Sequence, residues 1–388
     1  MGKRLKSILF EFLRQADIVL LLLCMASTLY GMLLISSATR YMGSARSLRL
    51  LLVQAAAMGI GIVLYIFFSV IDIENLIRKW KWILLFNIGF ICLLKTPFGV
   101  DDGTGNLAWL KFPGVPVSIQ PAEIVKLTFV LLLAKQLEWL LRERKELKTF
   151  QSIWFPTAHL LFRVALIYLI SGDMGSALVY VFIFACMMLS AGTAWRWFVL
   201  GIGGGGIGCV LLYKLGKIPV YMVERFKVIF DHSYDPLGKG WQQTRSLLAI
   251  GSGGWWGQGL YQGTQTQSSA GNSLPKRHTD FIFSVAGEEL GFWGCILIIA
   301  LLFAIVARCF QISRETHSAF AAYVCVGMAG MLMFQTIENI GMCLFVMPVI
   351  GLTLPFFSYG GSSIVTLFAA MGIVSGIKMH ALPERLRR

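Results

Sequence analysis

The sequence is poor in charge. Only 14% of its 388 residues are Asp, Glu, Lys or Arg, while 56% are hydrophobic; a soluble globular domain carries about 25% charged residues. The deficit runs along the whole chain, which excludes a soluble body on a single anchor. Signatures of several chemistries are also missing. None of the eight cysteines forms a CxxC pair and none lies in the long polar stretch, so neither a zinc site nor a disulfide framework is indicated. They read as small hydrophobes in apolar blocks. No Gly-Lys-Ser/Thr closes a P-loop, and dinucleotide, haem and flavin motifs are absent. No clustered carboxylates announce a metal, and no internal repeat is evident. Acidic residues are the scarcer sign, 20 against 34 basic, for a net charge of +14. The basic residues fall mostly in short connections between apolar blocks, which points to membrane orientation and away from nucleic acid.

What is present is a series of long apolar runs. A bilayer core needs about 20 apolar residues per helix. About ten runs qualify, at roughly 17–36, 49–70, 80–97, 121–140, 156–171, 174–191, 195–213, 282–307, 318–340 and 356–378. The first, behind Lys3, Arg4, Lys6 and Arg14, resembles a signal sequence but lacks a small-x-small cleavage site, and reads as an uncleaved span. Lipid cannot satisfy an open strand edge, so these runs must be helices. The expected fold is an all-α integral membrane protein. One polytopic domain spans residues 1–388, with about ten transmembrane helices and a large extracellular loop, 214–281, between helices 7 and 8. The fifth and sixth spans are separated only by Ser171-Gly172-Asp173, and the glycines of the seventh, Gly201 and Gly203 to Gly206, predict close helix contact. Basic residues on one side (the N-terminal four, then Arg78, Lys79, Lys81, Arg142, Arg144, Lys145, Lys148, Arg308, Arg314, Lys378, Arg385, Arg387 and Arg388) outnumber those in the opposite short loops. Both termini are therefore expected in the cytoplasm.

Polar residues in or near lipid mark where chemistry could sit. Glu123 and Lys126 share one face of the fourth span, behind Pro121 at its start. They read either as an ion pair that locks the bundle or as a cavity lysine meeting an anionic ligand. Asp173 opens the sixth span as a cap or a cavity acid. Arg163, midway along the fifth, needs a carbonyl or acidic partner. The run Leu248 to Gly259 is glycine-dense, which permits tight turns and close backbone approach. Leu274-Pro275-Lys276-Arg277-His278-Thr279-Asp280 leads straight into the eighth span. A carboxylate there is ionised and reachable from water, which suits a general base acting on a hydroxyl at the membrane surface. Lys276 and Arg277 could hold a phosphate. The alternative is that Thr279 or Asp280 merely caps the helix. Glu288 and Glu289, deeper still, need partners and lean structural. Prolines 348 and 355 interrupt the helix before Ser358-Tyr359-Gly360-Gly361-Ser362, and irregular backbone at membrane depth lines protein or a cavity.

Together these motifs resemble the SEDS family, the shape, elongation, division and sporulation proteins typified by RodA and FtsW. The resemblance covers nearly the whole chain. It rests on Trp109 with Gln120-Pro121-Ala122-Glu123 and Lys126, on Ala249 to Gly257, on Leu274 to Phe283 with Glu288-Glu289-Leu290-Gly291, and on Leu354-Pro355-Phe356-Phe357-Ser358-Tyr359-Gly360-Gly361-Ser362-Ser363. It implies a peptidoglycan glycosyltransferase in the bacterial cytoplasmic membrane. Such an enzyme polymerises lipid II into undecaprenyl-linked glycan at the outer face, in elongation or division, beside a class B penicillin-binding transpeptidase. It further implies that Asp280 is essential, that Trp109 is required, and that Glu123 and Lys126 are the family's buried pair. Substrate contacts are then expected from Trp109, Lys126, Lys276, Arg277, His278, Ser358 and Ser362, with Glu123, Asp173, Glu288 and Glu289 as structural or cavity acids. No cofactor is required, although a divalent cation could help neutralise a leaving pyrophosphate. The chain departs from the family pattern before Trp109, where arginines are lacking. It also departs at Ala122, at Ser171-Gly172 where glutamine-proline is usual, and at Phe345 where a small residue is usual. A flippase for the same lipid, or a non-catalytic scaffold for the transpeptidase, are the rival readings.

Overall fold

The computed structural model describes residues 12, 14–101, 106–114, 118–144, 147–216, 220–232, 235, 238, 240–269 and 273–381. Lys3, Arg4, Lys6, Lys145, Arg385, Arg387 and Arg388 from the predicted cytoplasmic set lie outside those residues. The helices are α1 (Ile18–Ala38), α2 (Ser44–Val70), α3 (Ile73–Ile77), α4 (Trp80–Cys92), α5 (Pro121–Arg144), α6 (Phe150–Ser171), α7 (Met174–Ser190), α8 (Trp195–Lys214), α9 (Val220–Phe230), α10 (Trp241–Gly253), α11 (Thr264–Gln267), α12 (Ile282–Glu315), α13 (Ala319–Cys343) and α14 (Gly361–Ala381). Each of the ten predicted spans coincides with one of them. Seven are long and apolar enough to cross a membrane by length and composition alone, and α7 is a shorter apolar helix. The chain is a multi-pass, all-α membrane protein.

Local chemistry sets many helix boundaries. Asp17 caps α1 by accepting from Leu20 N at 3.0 Å, and Ser318 caps α13 through Ala321 N at 3.4 Å. Pro121 opens α5, where its missing N–H costs nothing. Gly172, in the left-handed conformation at φ 71°, ends α6 and turns the chain into α7. Glycine therefore suits this turn.

Three expectations need correction. The fifth span was expected from 156, but α6 starts at Phe150 and carries Pro156 inside it. The tenth was expected from 356, but α14 starts at Gly361, because the chain before it is irregular. The glycines of α8 make no close helix contact. A Cβ at Gly201 or at any of Gly203 to Gly206 would meet nothing within 4 Å, and no residue of α8 is buried. Close helix contact occurs instead between α2 and α14, where a Cβ on Gly372 would lie 2.7 Å from Tyr65 Cα. The long loop is also more regular than its composition suggests, since it holds α9, α10 and α11. A two-residue antiparallel pair, β1 (Gly99–Val100) with β2 (Trp109–Leu110), was not anticipated.

Helix α12 is broken at Gly291, whose φ of 66° and ψ of −158° are not helical. The glycine-rich run seen in the sequence fills this break. Gln258 N and Gly259 N donate to the carbonyls of Glu288 and Glu289 at 2.9 and 3.0 Å, and Phe292 N donates to Gly254 O at 2.9 Å. A Cβ on Gly257 would sit 2.2 Å from Glu289 O, so only glycine allows the approach. At the other end of the bundle the fully buried Asp17 receives Arg308 Nε at 2.7 Å and Lys378 Nζ at 3.3 Å, which fastens α1, α12 and α14 together.

Candidate active site

The segment before α12 is wound into a turn and not into the helix itself. Lys276 takes φ 43°, and its carbonyl accepts from Thr279 N, Asp280 N and Phe281 N at 3.1, 3.0 and 3.3 Å. Phe281 is the N-cap of α12 and no side chain caps the helix. Capping by Thr279 or Asp280 is therefore not what this geometry provides. The Asp280 carboxylate lies 3.9 Å from Lys276 Nζ, and its side chain is 11% exposed.

The irregular chain between α13 and α14 wraps around this turn. Ser358 Oγ donates to Thr279 O at 2.5 Å and accepts from Leu354 N at 2.9 Å; Tyr359 N donates to His278 O at 2.9 Å. Gln54, fully buried on α2, donates to Ser358 O at 3.1 Å and accepts from Gly360 N at 3.2 Å. Asn339 on α13 donates to Asp280 O at 2.8 Å and to Leu352 O at 2.7 Å. The Ser358 hydroxyl, expected to contact substrate, is thus spent on holding two loop segments together. Ser362 Oγ is buried without a hydrogen-bond partner among the described residues.

A second wall comes from α5 and α7. A Cβ on Gly175 would lie 2.8 Å from Ile350 O, so the start of α7 packs on the same irregular segment. Asp173 caps α7 through Ser176 N at 3.0 Å and Ser176 Oγ at 2.7 Å, and accepts from Gln120 Nε2 at 3.2 Å. Lys126, fully buried, donates to Glu123 Oε1 at 2.6 Å. The pair lies just inside α5, one residue beyond Ala122, whose carbonyl accepts from Tyr180 OH at 3.0 Å. Trp109 sits on β2; the adjacent Leu110 bridges to Ile119, just before Gln120.

Glu288 and Glu289 serve the loop. Glu288 accepts from Gln265 N, Thr266 N, Thr266 Oγ1 and Thr264 Oγ1 at 2.6 to 3.1 Å. Glu289 Oε1 accepts from Ser37 Oγ at 2.7 Å and Gln267 Nε2 at 2.9 Å. Arg277 is likewise committed. Its guanidinium donates to the carbonyls of Gln265, Thr266 and Ser268 and stacks 3.5 Å from the Tyr41 ring centroid. Nη1 and Nη2 are thus turned to loop carbonyls, while Nε is buried without a hydrogen-bond partner among the described residues. His278 Nδ1 is buried without a hydrogen-bond partner among the described residues, and burial, with Arg277 and then Arg46 nearby, pushes the imidazole down to about 4. Among the described residues Arg163 has no carbonyl or acid of the kind expected for it: its Nε meets His159 Nε2 at 3.3 Å, and Nη1 and Nη2 have no hydrogen-bond partner there. Among the described residues no group of three or more His, Cys, Asp or Glu side chains is placed to hold a metal.

Comparison with known proteins places this arrangement. Residues 17–382 match the FtsW/RodA/SpoVE family, described as cell cycle protein. The chain belongs to that family. It is 31% identical to a probable peptidoglycan glycosyltransferase FtsW of Trichlorobacter lovleyi, over 95% of this chain and 96% of the relative. It is 33% identical to stage V sporulation protein E of Bacillus subtilis, over 84% and 86%. Among solved structures it resembles a chain from a peptidoglycan synthase complex that coordinates polymerization and crosslinking (TM-score 0.76, 30% identity, 95% of this chain and 99% of that one). It also resembles the rod shape determining protein RodA of Thermus thermophilus (TM-score 0.67, 28% identity, 95% and 98%).

Within this FtsW/RodA/SpoVE member, sequence reasoning missed Gln54, Asn339 and Asp17, each a buried polar residue whose partners are remote in the chain. Gln54 stands alone in an apolar stretch of α2, and Asn339 lies in a polar run with Gln335, Thr336 and Glu338 inside an apolar helix; those were the available signals. Phe345 takes φ 62°, a conformation that favours glycine, and its ring packs 4.3 Å from His232. A small residue at that place would leave the His232 ring without this contact.

Proposed function

We propose that the chain is a peptidoglycan glycosyltransferase that polymerises lipid II at the outer face of the cytoplasmic membrane, with Asp280 as general base. The observation that carries the reading is a carboxylate at the loop-to-helix junction, one residue outside the N-cap of α12, beside Lys276 and fastened through its backbone to α13. Asp280 takes the proton of the acceptor sugar 4-hydroxyl. The oxygen attacks the anomeric carbon of the donor chain with inversion, and undecaprenyl pyrophosphate departs with the bonding electrons. The leaving group needs positive charge. Lys276, exposed beside Asp280, supplies it, whereas Lys126 is bonded to Glu123. Trp109, joined through Leu110 and Ile119 to the start of α5, forms the outer wall. A class B penicillin-binding transpeptidase is the partner, a reading supported by the synthase complex whose chain this one resembles.

The break in α12 and the irregular segment before α14 are also features of transporters, whose substrate sites use discontinuous helices. One experiment separates the readings. Purified protein is given labelled lipid II, alone and with a candidate transpeptidase, beside Asp280→Asn. Glycan from wild type, with a loss on the order of a hundredfold or more in the variant, is expected. Equal activity of the two proteins removes Asp280 from the chemistry. Lipid movement across vesicles without polymerisation turns the assignment to the flippase.

A further inference from the structure

At the end of the bundle opposite Asp280, three helix ends meet in one aromatic rim. Trp139, near the end of α5, meets Phe155 of α6 edge-on, with ring centroids 6.1 Å apart. Phe150 stacks on Trp154 at 6.0 Å and reaches Trp197 of α8 at 5.9 Å. The Lys148 carbonyl, just before α6, accepts from both Arg196 Nη2 and Trp197 Nε1, which fastens the start of α8 to the start of α6. Trp139, Phe150, Trp154 and Phe155 are all exposed.

Three exposed cations stand on this rim: Arg142, one turn beyond Trp139 on α5, with Lys148 and Arg196. Arg142 makes no hydrogen bond or ion pair among the described residues. Arg196 uses only Nη2 in a hydrogen bond there, and its guanidinium lies 5.6 Å from the Trp197 ring centroid. At the same end of the bundle Arg308 and Lys378 are spent on Asp17. The acids along this stretch are Glu138, which takes Lys135 at 2.8 Å, and Glu143, next to Arg142 in sequence and so on another face of α5.

Behind the rim, apolar surface continues toward the middle of the bundle. Phe162 is exposed on α6, two turns past Phe155, as are Val199 and Ile202 on α8. Trp197 and Phe198 pack against the core, but no residue of α8 is buried, and a Cβ on any glycine from Gly201 to Gly208 would meet nothing within 4 Å. The helix is thus held at its start and stands clear further along, which leaves room for acyl chains. Tryptophan and basic side chains are common at membrane boundaries. What this rim adds is guanidinium donors without a protein partner, fixed beside apolar surface that runs inward. A guanidinium fork matches a phosphate bidentately, and basic pockets between helix ends on the cytoplasmic side bind anionic headgroups.

We propose that the rim of α5, α6 and α8 is a binding site for an anionic phospholipid of the adjoining leaflet. Arg142 and Arg196 flank the headgroup and donate to its phosphate, Lys148 adds charge, and the acyl chains lie along α6 and α8. The site is separate from Asp280 and does not depend on glycosyl transfer.

The test uses the full-length protein in micelles of an uncharged detergent, titrated with dye-labelled phosphatidylglycerol and, separately, with phosphatidylcholine carrying the same dye. Wild type is expected to bind the anionic lipid roughly tenfold more tightly or better. Arg142→Gln with Arg196→Gln is expected to weaken that binding about tenfold or more. Arg142→Gln alone, which breaks no bond within the described residues, is expected to weaken it about threefold with the melting temperature unchanged. Arg14→Gln with Arg314→Gln removes the same charge from the same end of the bundle, and should stay within about twofold of wild type because distant surface charges are screened. Equal affinity for the two lipids overturns the proposal, and so does unchanged affinity in the Arg142 and Arg196 variants. An equal loss in the Arg14 and Arg314 variant overturns it as well, since general surface charge would then explain the binding. A wild type that binds neither lipid overturns it and leaves the rim to a protein partner.

Discussion

At the scale of single residues, the site depends on what each polar group is already bonded to. His278 is the clearest titration prediction, because it lies outside the spans. Its folded-state value of about 4 is below the ordinary imidazole value of 6.5, with burial the main cause. The unfolded chain therefore binds the proton more readily between those values. The neutral ring contributes stability that is fully present above about pH 6.5 and is lost as pH falls toward about 4. Thermal melts of wild type and His278→Gln should diverge in that window, with wild type losing more on acidification. Parallel curves would remove His278 from the pH response. The same residue shows what was legible. That Asp280 and its neighbours matter could be read from their place at the mouth of an apolar run. That Arg277 is spent on three carbonyls, and that Ser358 ties two loops, could not, because their partners are set by tertiary folding.

At the scale of elements, the hydrophobic runs disclosed ten of the fourteen helices among the described residues, all the long apolar ones, since the length of a run is a local property. The break at Gly291 was not disclosed, because a single glycine in a helical pattern is common and its meaning depends on the loop that fills the gap. The loop and the break make a paired prediction. Gly257→Ala would place a Cβ 2.2 Å from Glu289 O at a φ of 80°, whereas Gly203→Ala, on α8, would place one in open space. The first should lower the melting temperature and open the Gly254–Gly259 segment to proteolysis; the second should leave both unchanged. Equal effects would mean that the loop does not depend on the break. The Asp17 hub makes a prediction of a different kind. Removing one member of a buried ion pair costs roughly 3–5 kcal/mol, and here the two cations are 19% and 30% exposed and partly screened. Asp17→Asn should therefore destabilise by about 3 kcal/mol or less in reversible unfolding. Adding Arg308→Gln should recover part of the loss, because it removes a charge the first change strands. Strictly additive losses would deny the coupling.

At the scale of the molecule, the two ends of the bundle carry different chemistry, and that asymmetry implies an orientation. One end holds the Asp17, Arg308 and Lys378 cluster and the short basic connections around Arg78, Lys79, Lys81, Arg142, Lys148 and Arg314. The other holds Asp280, Lys276, the glycine-filled break and the long loop. Short basic connections favour the cytoplasm, while long loops translocate largely regardless of charge. Lipid-linked glycan can be extended outside the cell only if the Asp280 end faces out, so topology constrains the chemistry directly. Single cysteines can read it, once the exposed native Cys92 and Cys209 are replaced by serine. Ser268→Cys, beside α11 in the loop, should react with a membrane-impermeant maleimide in intact cells. Ser318→Cys, in the turn between α12 and α13, should react only after the cells are opened. The reverse pattern would put Asp280 inside, where a polymerising enzyme would meet lipid-linked precursor before its export, and outer-face synthesis would have to be abandoned even if purified protein made glycan.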